Sequence, residues 1–247
     1  MERDRFVIGL PLGRWVSNTY IVGDRAKGEC VLVDAGETAT DTIPGALDKL
    51  GVTCKAILLT HGHIDHFWSA PELSRKLDVP VFLHPEDKWL WDNPAAAFVE
   101  DRAAGLEAVK ANYGLDWDAG DFEPVKDGQS LVFGGITFDV KHNPGHTPGH
   151  ATFLGRDLGD AAVQFAYGAP EAANDILFSG DLIFEGSIGR TDFPRGSLED
   201  MFRSLVDTVL PLEDDTVILS GHGGGTTVGR ERAANPFLRQ AISAAGR

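Results

Sequence analysis

The sequence predicts an α/β fold, and two patterns in it support this prediction. Short apolar runs of strand length alternate with segments whose apolar residues recur at helical spacing. Glycine and proline are frequent, at 29 and 13 of the 247 residues, so many elements should end in turns and loops. We expect a single domain that spans residues 1–247, since a chain of this length can build one large core.

The start of the chain has the most regular pattern. Strands are expected over 6–10, 18–22 and 30–33, and turn residues between the last two indicate a hairpin. A helix is expected over 41–50, because its apolar residues share one face. The next apolar run, 56–59, is predicted to be a strand that leads directly into a dense polar loop.

The segment after that loop predicts one further helix and strand. Ser69 is predicted to cap a helix over 70–77, and a strand over 79–83 follows it. Residues 85–128 are rich in Trp, Ala and acidic residues, and we interpret them as a helical insertion within the same domain. The aromatic residues of this insertion are expected to pack in the core rather than to line a substrate site.

The second half of the chain predicts short strands separated by turn-rich loops. A hairpin is expected within 131–140, and Ser197 has the position of a capping-box residue that opens a helix to about Leu210. A final helix is expected over 236–245, with Asn235 as its cap. Further strands are predicted over 151–154, 163–166, 175–179 and 216–219.

The polar loop after the strand predicted over 56–59 reads Thr60-His61-Gly62-His63-Ile64-Asp65-His66. Imidazole nitrogens and carboxylate oxygens are ligands of zinc and similar divalent metals. So many potential ligands on one short loop cannot all reach a single ion with good geometry. The loop therefore indicates a site for two metal ions.

Three later loops, each after a predicted strand, add potential ligands of the same kinds. Loops at strand ends in an α/β sheet cluster at one edge, where ligands usually bind. Asp34 and Thr60 are interpreted as residues that orient ligand histidines, with strand-end capping as the alternative for Asp34. The predicted metal ligands are His61, His63, Asp65, His66, His146, Asp181 and His222.

Composition excludes several classes of function. The formal net charge of −15 would repel nucleic acid. Cys30 and Cys54 are too few for a disulfide framework and are expected to be buried, so a reducing cytoplasm is the predicted location. We expect neither a signal peptide nor a membrane span, because no apolar segment has the required length. The oligomeric state stays open.

These motifs resemble those of the metallo-β-lactamase superfamily, and the similarity extends over most of the chain, including Asp34-Ala35-Gly36. The resemblance implies an αββα sandwich, in which two mixed β-sheets pack face to face and helices cover the outer faces. It also implies how the ligands are shared between the ions. The first ion would be held by His61, His63 and His146, the second by Asp65, His66 and His222, and Asp181 would bridge them.

Two strings of residues narrow the subfamily. The string 187–194 and the motifs within 222–237 resemble the short bacterial type of glyoxalase II, a hydroxyacylglutathione hydrolase without the C-terminal glutathione-binding domain, which this chain is also expected to lack. Antibiotic hydrolysis is less favoured, because the position of Asp181 is cysteine in many zinc β-lactamases. Di-iron oxygen reduction is less favoured, because the position of His63 is glutamate in flavodiiron relatives.

One departure from the longer glyoxalase II enzymes concerns substrate binding. Those enzymes have a Lys-x-Tyr motif that contacts glutathione, and the corresponding residues here are Arg190 and Asp192. Arg190 is a candidate for binding a carboxylate of the thiol carrier through paired hydrogen bonds. The alternative is that Arg190 forms a structural ion pair with Asp192.

The resemblance implies hydrolysis of a hydroxyacyl thioester such as S-lactoylglutathione by a metal-bridging hydroxide, since a bound metal lowers the pKa of water to about 7. Asp65 is predicted to orient the hydroxide. The expected cofactors are two divalent ions, zinc first, with iron or manganese as alternatives. Persulfide dioxygenases share these ligands but would use one iron on His61, His146 and Asp181. A non-catalytic metal-binding module is the third interpretation.

Overall fold

The computed structural model describes residues 4–156, 158–159, 161–170 and 172–246. The strands run in chain order as β1 (Arg5–Leu12), β2 (Ser17–Asp24), β3 (Glu29–Val33), β4 (Thr53–Leu58), β5 (Val81–Leu83), β6 (Glu123–Pro124), β7 (Ser130–Phe133), β8 (Ile136–His142), β9 (Ala151–Arg156), β10 (Ala161–Phe165), β11 (Ala172–Ala173), β12 (Ile176–Gly180), β13 (Val217–Ser220) and β14 (Thr226–Thr227). The helices are α1 (Ala39–Leu50), α2 (Ile64–Phe67), α3 (Ala70–Leu77), α4 (Lys88–Asp92), α5 (Arg102–Tyr113), α6 (Leu198–Val209), α7 (Val228–Ala234) and α8 (Pro236–Ala244).

The strands form two mixed sheets. The first sheet has the order β11-β10-β1-β2-β3-β4-β5-β6, with an antiparallel meander from β1 to β3 and parallel pairing from β3 to β6. The second has the order β14-β13-β12-β9-β8-β7, in which only the β12 and β13 pair is parallel among the described residues.

Three layers of apolar side chains hold the sheets and helices together. Phe6 and Val7 are neighbours on β1, so they point to opposite faces of the first sheet. Val7 packs between the sheets with Phe138 and Phe178 of the second sheet. Phe6 packs on the outer face with Ile43 of α1. Another cluster joins the outer face of the second sheet to α6 and α8. The fold is therefore the αββα sandwich that the resemblance implied.

Most of the predicted elements are present within a few residues of their expected ends, but the prediction for Ser69 was wrong. Its hydroxyl makes no capping bond to α3 and instead donates to the carbonyl of Gly36 at 2.8 Å. Ser197 and Asn235 do cap their helices, because their side chains accept hydrogen bonds from backbone N–H groups in the first turn. The short helices α2 and α7 were not predicted, since neither has an apolar repeat long enough to recognise.

The segment 85–128 contains a 3₁₀ turn at Pro85–Asp87, helices α4 and α5, and strand β6. Trp91 is buried, and its indole N–H donates to the carbonyl of Gly120 at 3.1 Å. The indole N–H of Trp117 donates in turn to the carbonyl of Trp91 at 2.8 Å. These two tryptophans pack in the core as predicted. Among the described residues, none of the helices is both long enough and apolar enough to cross a membrane.

Candidate metal centre

Four loops meet at one end of the sandwich, and together they contain all the predicted ligands. One loop follows β4 of the first sheet, and the other three follow β8, β12 and β13 of the second sheet. Gly221 shows how closely the loops approach, since a Cβ atom there would lie 2.3 Å from Oδ1 of Asp181 and 2.5 Å from Cε1 of His66. The site thus lies between the two sheets and not at the edge of one.

The first group of potential ligands consists of His61, His63 and His146, which offer ring nitrogens within 4.8 Å of one another. Nε2 of His61 lies 3.1 Å from Nδ1 of His63, and that atom lies 2.8 Å from Nε2 of His146. The three rings are buried and meet nearly edge to face. Three imidazole nitrogens at this spacing can hold one divalent ion.

The second group consists of Asp65, His66 and His222, also within 4.8 Å. Oδ2 of Asp65 lies 3.4 Å from Nε2 of His66 and 3.1 Å from Nε2 of His222. The two Nε2 atoms are 3.3 Å apart. This group can hold a second ion with two nitrogens and one carboxylate oxygen.

Asp181 lies between the two groups. Its carboxylate oxygens are 3.4 Å from Nε2 of His146 in the first group, and 3.5 and 3.9 Å from Nε2 of His66 and His222 in the second. Oδ1 of Asp181 is buried and forms no hydrogen bond with the described part of the chain. A buried carboxylate oxygen without a donor is a costly arrangement that a metal ion would relieve. The residues present therefore fit two divalent ions with Asp181 between them.

Ionisation of the first ligand group suits metal binding. Burial lowers the pKa of His61, His63 and His146, which keeps these rings in the neutral form that metals bind. Burial opposes the charge of Asp65, but the neighbouring His66 and His222 hold the pKa of this carboxyl well below its usual range.

Residues behind the ligands orient the rings. Nδ1 of His66 donates to Oδ2 of Asp34 at 2.9 Å, and the hydroxyl of Thr60 donates to the same carboxylate. Nδ1 of His61 lies 3.1 Å from this hydroxyl, and Nδ1 of His146 donates to the carbonyl of Arg190 at 2.7 Å. Hydrogen bonds of this kind leave the other ring nitrogen free for a metal. Asp34 and Thr60 thus have the orienting contacts that were predicted.

Asp87 is a polar residue of the site that the sequence did not reveal. Its buried carboxylate accepts hydrogen bonds from Gly62 N–H at 2.7 Å, the Thr147 hydroxyl at 2.6 Å and Gly149 N–H at 2.7 Å. These donors belong to the loop after β4 and the loop after β8, so Asp87 joins the two loops of the first group. No sequence motif marks Asp87, which lies outside the four ligand loops.

His84, Glu86 and His142 form a further set with ligand atoms within 4.8 Å. The rings of His84 and His142 are stacked, with centroids 4.0 Å apart and planes 9° apart. Stacked rings direct their nitrogen lone pairs in parallel, which prevents convergence on one ion. His142 is partly buried, and its Nε2 donates to the carbonyl of Pro148 at 2.7 Å.

A cavity of about 690 Å³ opens onto the metal centre. Members of both ligand groups and Asp181 form part of its wall. Arg190 also lies on this wall, but its guanidinium makes two hydrogen bonds of 2.7 Å to Asp192. The ion pair that was the alternative interpretation of Arg190 is therefore present, on the wall of the cavity.

Two curated relatives that carry functional names cover nearly all of the chain. The chain is 33% identical over 231 residues to the hydroxyacylglutathione hydrolase GloC of Haemophilus influenzae, covering 93% of this chain and 96% of that protein. It is 28% identical over 224 residues to the mitochondrial persulfide dioxygenase ETHE1 of Bos taurus, covering 89% of this chain and 70% of that protein.

Solved structures give the same fold. The B3 metallo-β-lactamase BLEG-1 is 30% identical, with a TM-score of 0.75 and coverage of 94% of this chain and 99% of that one. The protein TTHA1623, solved in a di-iron-bound form, is 32% identical, with a TM-score of 0.71 and coverage of 93% of this chain and 99% of that one. The family model of the metallo-β-lactamase superfamily matches residues 12–161 and 171–222. The two ligand groups, the sandwich fold and this match lead to one conclusion: the chain belongs to the metallo-β-lactamase superfamily.

Proposed function

We propose that this protein is a metal-dependent thioester hydrolase of the glyoxalase II type, which cleaves a hydroxyacyl thioester such as S-lactoylglutathione. The observation that supports this proposal most strongly is the pair of three-residue ligand groups with the Asp181 carboxylate between them. The similarity to a hydroxyacylglutathione hydrolase over most of both chains supports the same reaction.

The cofactors in this proposal are two divalent ions, with His61, His63 and His146 as ligands of one and Asp65, His66 and His222 as ligands of the other. Bound divalent ions supply Lewis acidity, which promotes the ionisation of water near neutral pH and polarises a carbonyl group. Zinc suits a mixed set of histidine and carboxylate ligands. Iron and manganese remain alternatives in the proposal, and the similar protein TTHA1623 was solved with two irons.

The reaction adds water to the thioester carbonyl, breaks the C–S bond and releases a carboxylic acid and a thiol. Asp65 is on the cavity wall and ionised, so its carboxylate can accept a hydrogen bond from the attacking water. Thiolate is a stable leaving group, so the chain needs no strong general acid for this step. Neither cysteine is available as a nucleophile, because Cys30 and Cys54 are buried in the first sheet.

A persulfide dioxygenase is the second candidate function. A single iron would need two histidines and one carboxylate on one side. Asp181 lies 3.4 Å from His146, and the ring centroids of His61 and His146 are 4.7 Å apart, which is compatible with such a set. The similarity to a persulfide dioxygenase also supports this candidate.

One experiment separates the two candidates. Protein purified without added metal is analysed for metal content, then assayed for S-lactoylglutathione hydrolysis and for oxygen uptake with glutathione persulfide. We expect about two ions per chain and thioester loss without oxygen uptake. About one iron per chain with oxygen uptake would establish the dioxygenase instead. A β-lactam assay on the same sample tests the activity named for BLEG-1, and we expect no turnover.

We also propose a cytoplasmic location, with which the free thiols of Cys30 and Cys54 are compatible.

A further inference from the structure

The cavity beside the metal centre has an apolar wall. The helical segment 85–128 supplies Ala95, Ala97, Phe98, Val109 and Tyr113 to it. Part of this segment therefore faces the cavity, although its aromatic residues were predicted to pack in the core. Other apolar residues on the wall are Trp15, Phe184, Ile188 and Phe193.

Ring contacts connect the mouth of the cavity to the metal centre. Phe98 is 71% exposed, and its ring meets that of Phe193 edge to face at 5.3 Å. Phe193 meets His63 of the first ligand group at 5.5 Å. A substrate whose carbonyl lies at the metal centre can therefore extend along Phe193 and Phe98 toward solvent.

The cationic side chain on the wall is already paired with a carboxylate. Arg190 is the only lysine or arginine among the described residues that line this cavity. Asp192 neutralises Arg190 through paired hydrogen bonds. The guanidinium carbon of Arg190 stacks 3.8 Å from the centre of the Phe193 ring. Glutathione has two carboxylates, and each would need a cationic or N–H partner to replace water. The wall offers an apolar surface instead.

We propose, on the basis of the thioesterase function above, that the substrate is a thioester with an apolar arm several carbons long, which lies on the Phe98–Phe193 wall. This arm belongs either to the acyl group or to the thiol, since both extend from the same carbonyl. The cavity volume of about 690 Å³ can accommodate such an arm.

The test compares metal-loaded protein on four thioesters. S-Hexyl ethanethioate and S-ethyl hexanethioate are isomers that place a six-carbon arm on the thiol side or the acyl side, and S-ethyl ethanethioate has no long arm. A methylene that becomes fully buried contributes about fourfold in affinity. One or both isomers should therefore have a kcat/KM about tenfold or more above that of S-ethyl ethanethioate. The isomer with the higher kcat/KM shows whether the apolar arm belongs to the acyl group or to the thiol.

The fourth substrate, S-lactoylglutathione, separates the two proposals. One possible result is that S-lactoylglutathione is hydrolysed and that neither six-carbon isomer is hydrolysed faster than S-ethyl ethanethioate. This result would overturn the apolar-arm proposal and leave the thioesterase function intact. Failure to hydrolyse any of the four would overturn the thioesterase function, and the apolar-arm proposal with it.

Two pairs of variants locate the effect. Phe98→Ser should raise KM for the better isomer severalfold and should change KM for S-ethyl ethanethioate much less. Its matched control is Tyr167→Ser, since Tyr167 is 49% exposed, makes an edge contact with Phe165 and lies outside this cavity. Asp192→Asn should free Arg190 and lower KM for S-lactoylglutathione, whereas Asp200→Asn, away from the cavity, should not.

A binding measurement supplements the rates. Ethyl hexyl sulfide is the thioether that lacks the carbonyl oxygen of both isomers, so its binding to the metal-loaded protein does not depend on a polarised carbonyl. We expect binding by calorimetry that Phe98→Ser weakens severalfold and Tyr167→Ser does not. Equal binding by the two variants would overturn the placement of the arm.

Discussion

Oδ2 of Asp34 lies 2.9 Å from Nδ1 of His66, and both side chains are buried. Asp34 comes directly after β3 and has a left-handed backbone with φ of 59°. Its Oδ1 also accepts a hydrogen bond from the backbone N–H of Thr60 at 2.8 Å. Asp34 thus holds the start of the ligand loop and turns Nε2 of His66 toward Asp65 and His222.

Asp34→Asn should weaken metal binding without unfolding the protein. Asparagine tolerates the left-handed backbone at this position, but its neutral amide is a poorer acceptor for the Nδ1–H of His66. Loss of such a partner typically reduces metal affinity about 10-fold to 100-fold. Competition with a chelator of known affinity measures this, with Asp116→Asn on the surface as the control. Equal affinities for the two variants would show that Asp34 has only a strand-end role.

Removal of metal should lower thermal stability. An ion at 100 times its dissociation constant contributes about 2.7 kcal/mol to the free energy of unfolding. For a chain of this size that corresponds to a fall of about 5–10 °C in Tm on chelation. Thermal denaturation with and without EDTA measures the change, and zinc should restore it. His84→Gln should show the same fall as the unmodified protein, because the stacked His84 and His142 are not expected to bind an ion.

Asp87 should make stability depend on pH in the metal-free protein. Burial raises the pKa of Asp87 from its ordinary 3.8 to about 6, although three hydrogen bonds oppose this shift. Between these values the folded state binds more protons than the unfolded state, so the free energy of unfolding falls as pH rises. The full contribution is on the order of 3 kcal/mol.

The measurement for Asp87 is urea denaturation at several pH values from 4 to 7. The asparagine of Asp87→Asn cannot titrate, so the free energy of unfolding of this variant should lack the contribution. The difference in free energy of unfolding between the variant and the unmodified protein should therefore change steadily from pH 4 to pH 6. A difference that is constant with pH would contradict the raised pKa. Asp121→Asn, an exposed carboxylate, is the control for general charge effects.

Glu231 should stabilise the segment beside the cavity. This buried carboxylate accepts hydrogen bonds from Gly186 N–H at 2.8 Å, the Thr226 hydroxyl at 2.6 Å and the Asn235 amide at 2.9 Å. Glu231→Gln places an amide N–H₂ against these donors and should cost about 1–3 kcal/mol in the free energy of unfolding. Urea denaturation measures this cost, and Glu199→Gln on the surface should cost much less.

The turns and strands near the ligand loops were predictable because their signals are local. The run before Thr60 is apolar and short, and it forms β4. Asn235 and Ser197 were recognised as caps because a capping side chain bonds to N–H groups only two or three residues away. Ser69 also stands just before a helix, but its hydroxyl donates to the carbonyl of Gly36, which is distant in sequence. A tertiary contact therefore overrode a local preference.

The sequence by itself determined the αββα family resemblance and the set of residues that offer metal ligands, because a loop as dense in histidine as 60–66 has few other uses. Only the tertiary structure decided that Asp87 joins two loops and that Phe98 and Tyr113 face the cavity. The physical reason is that each depends on which distant segments pack together. Such contacts leave no periodic pattern along the chain.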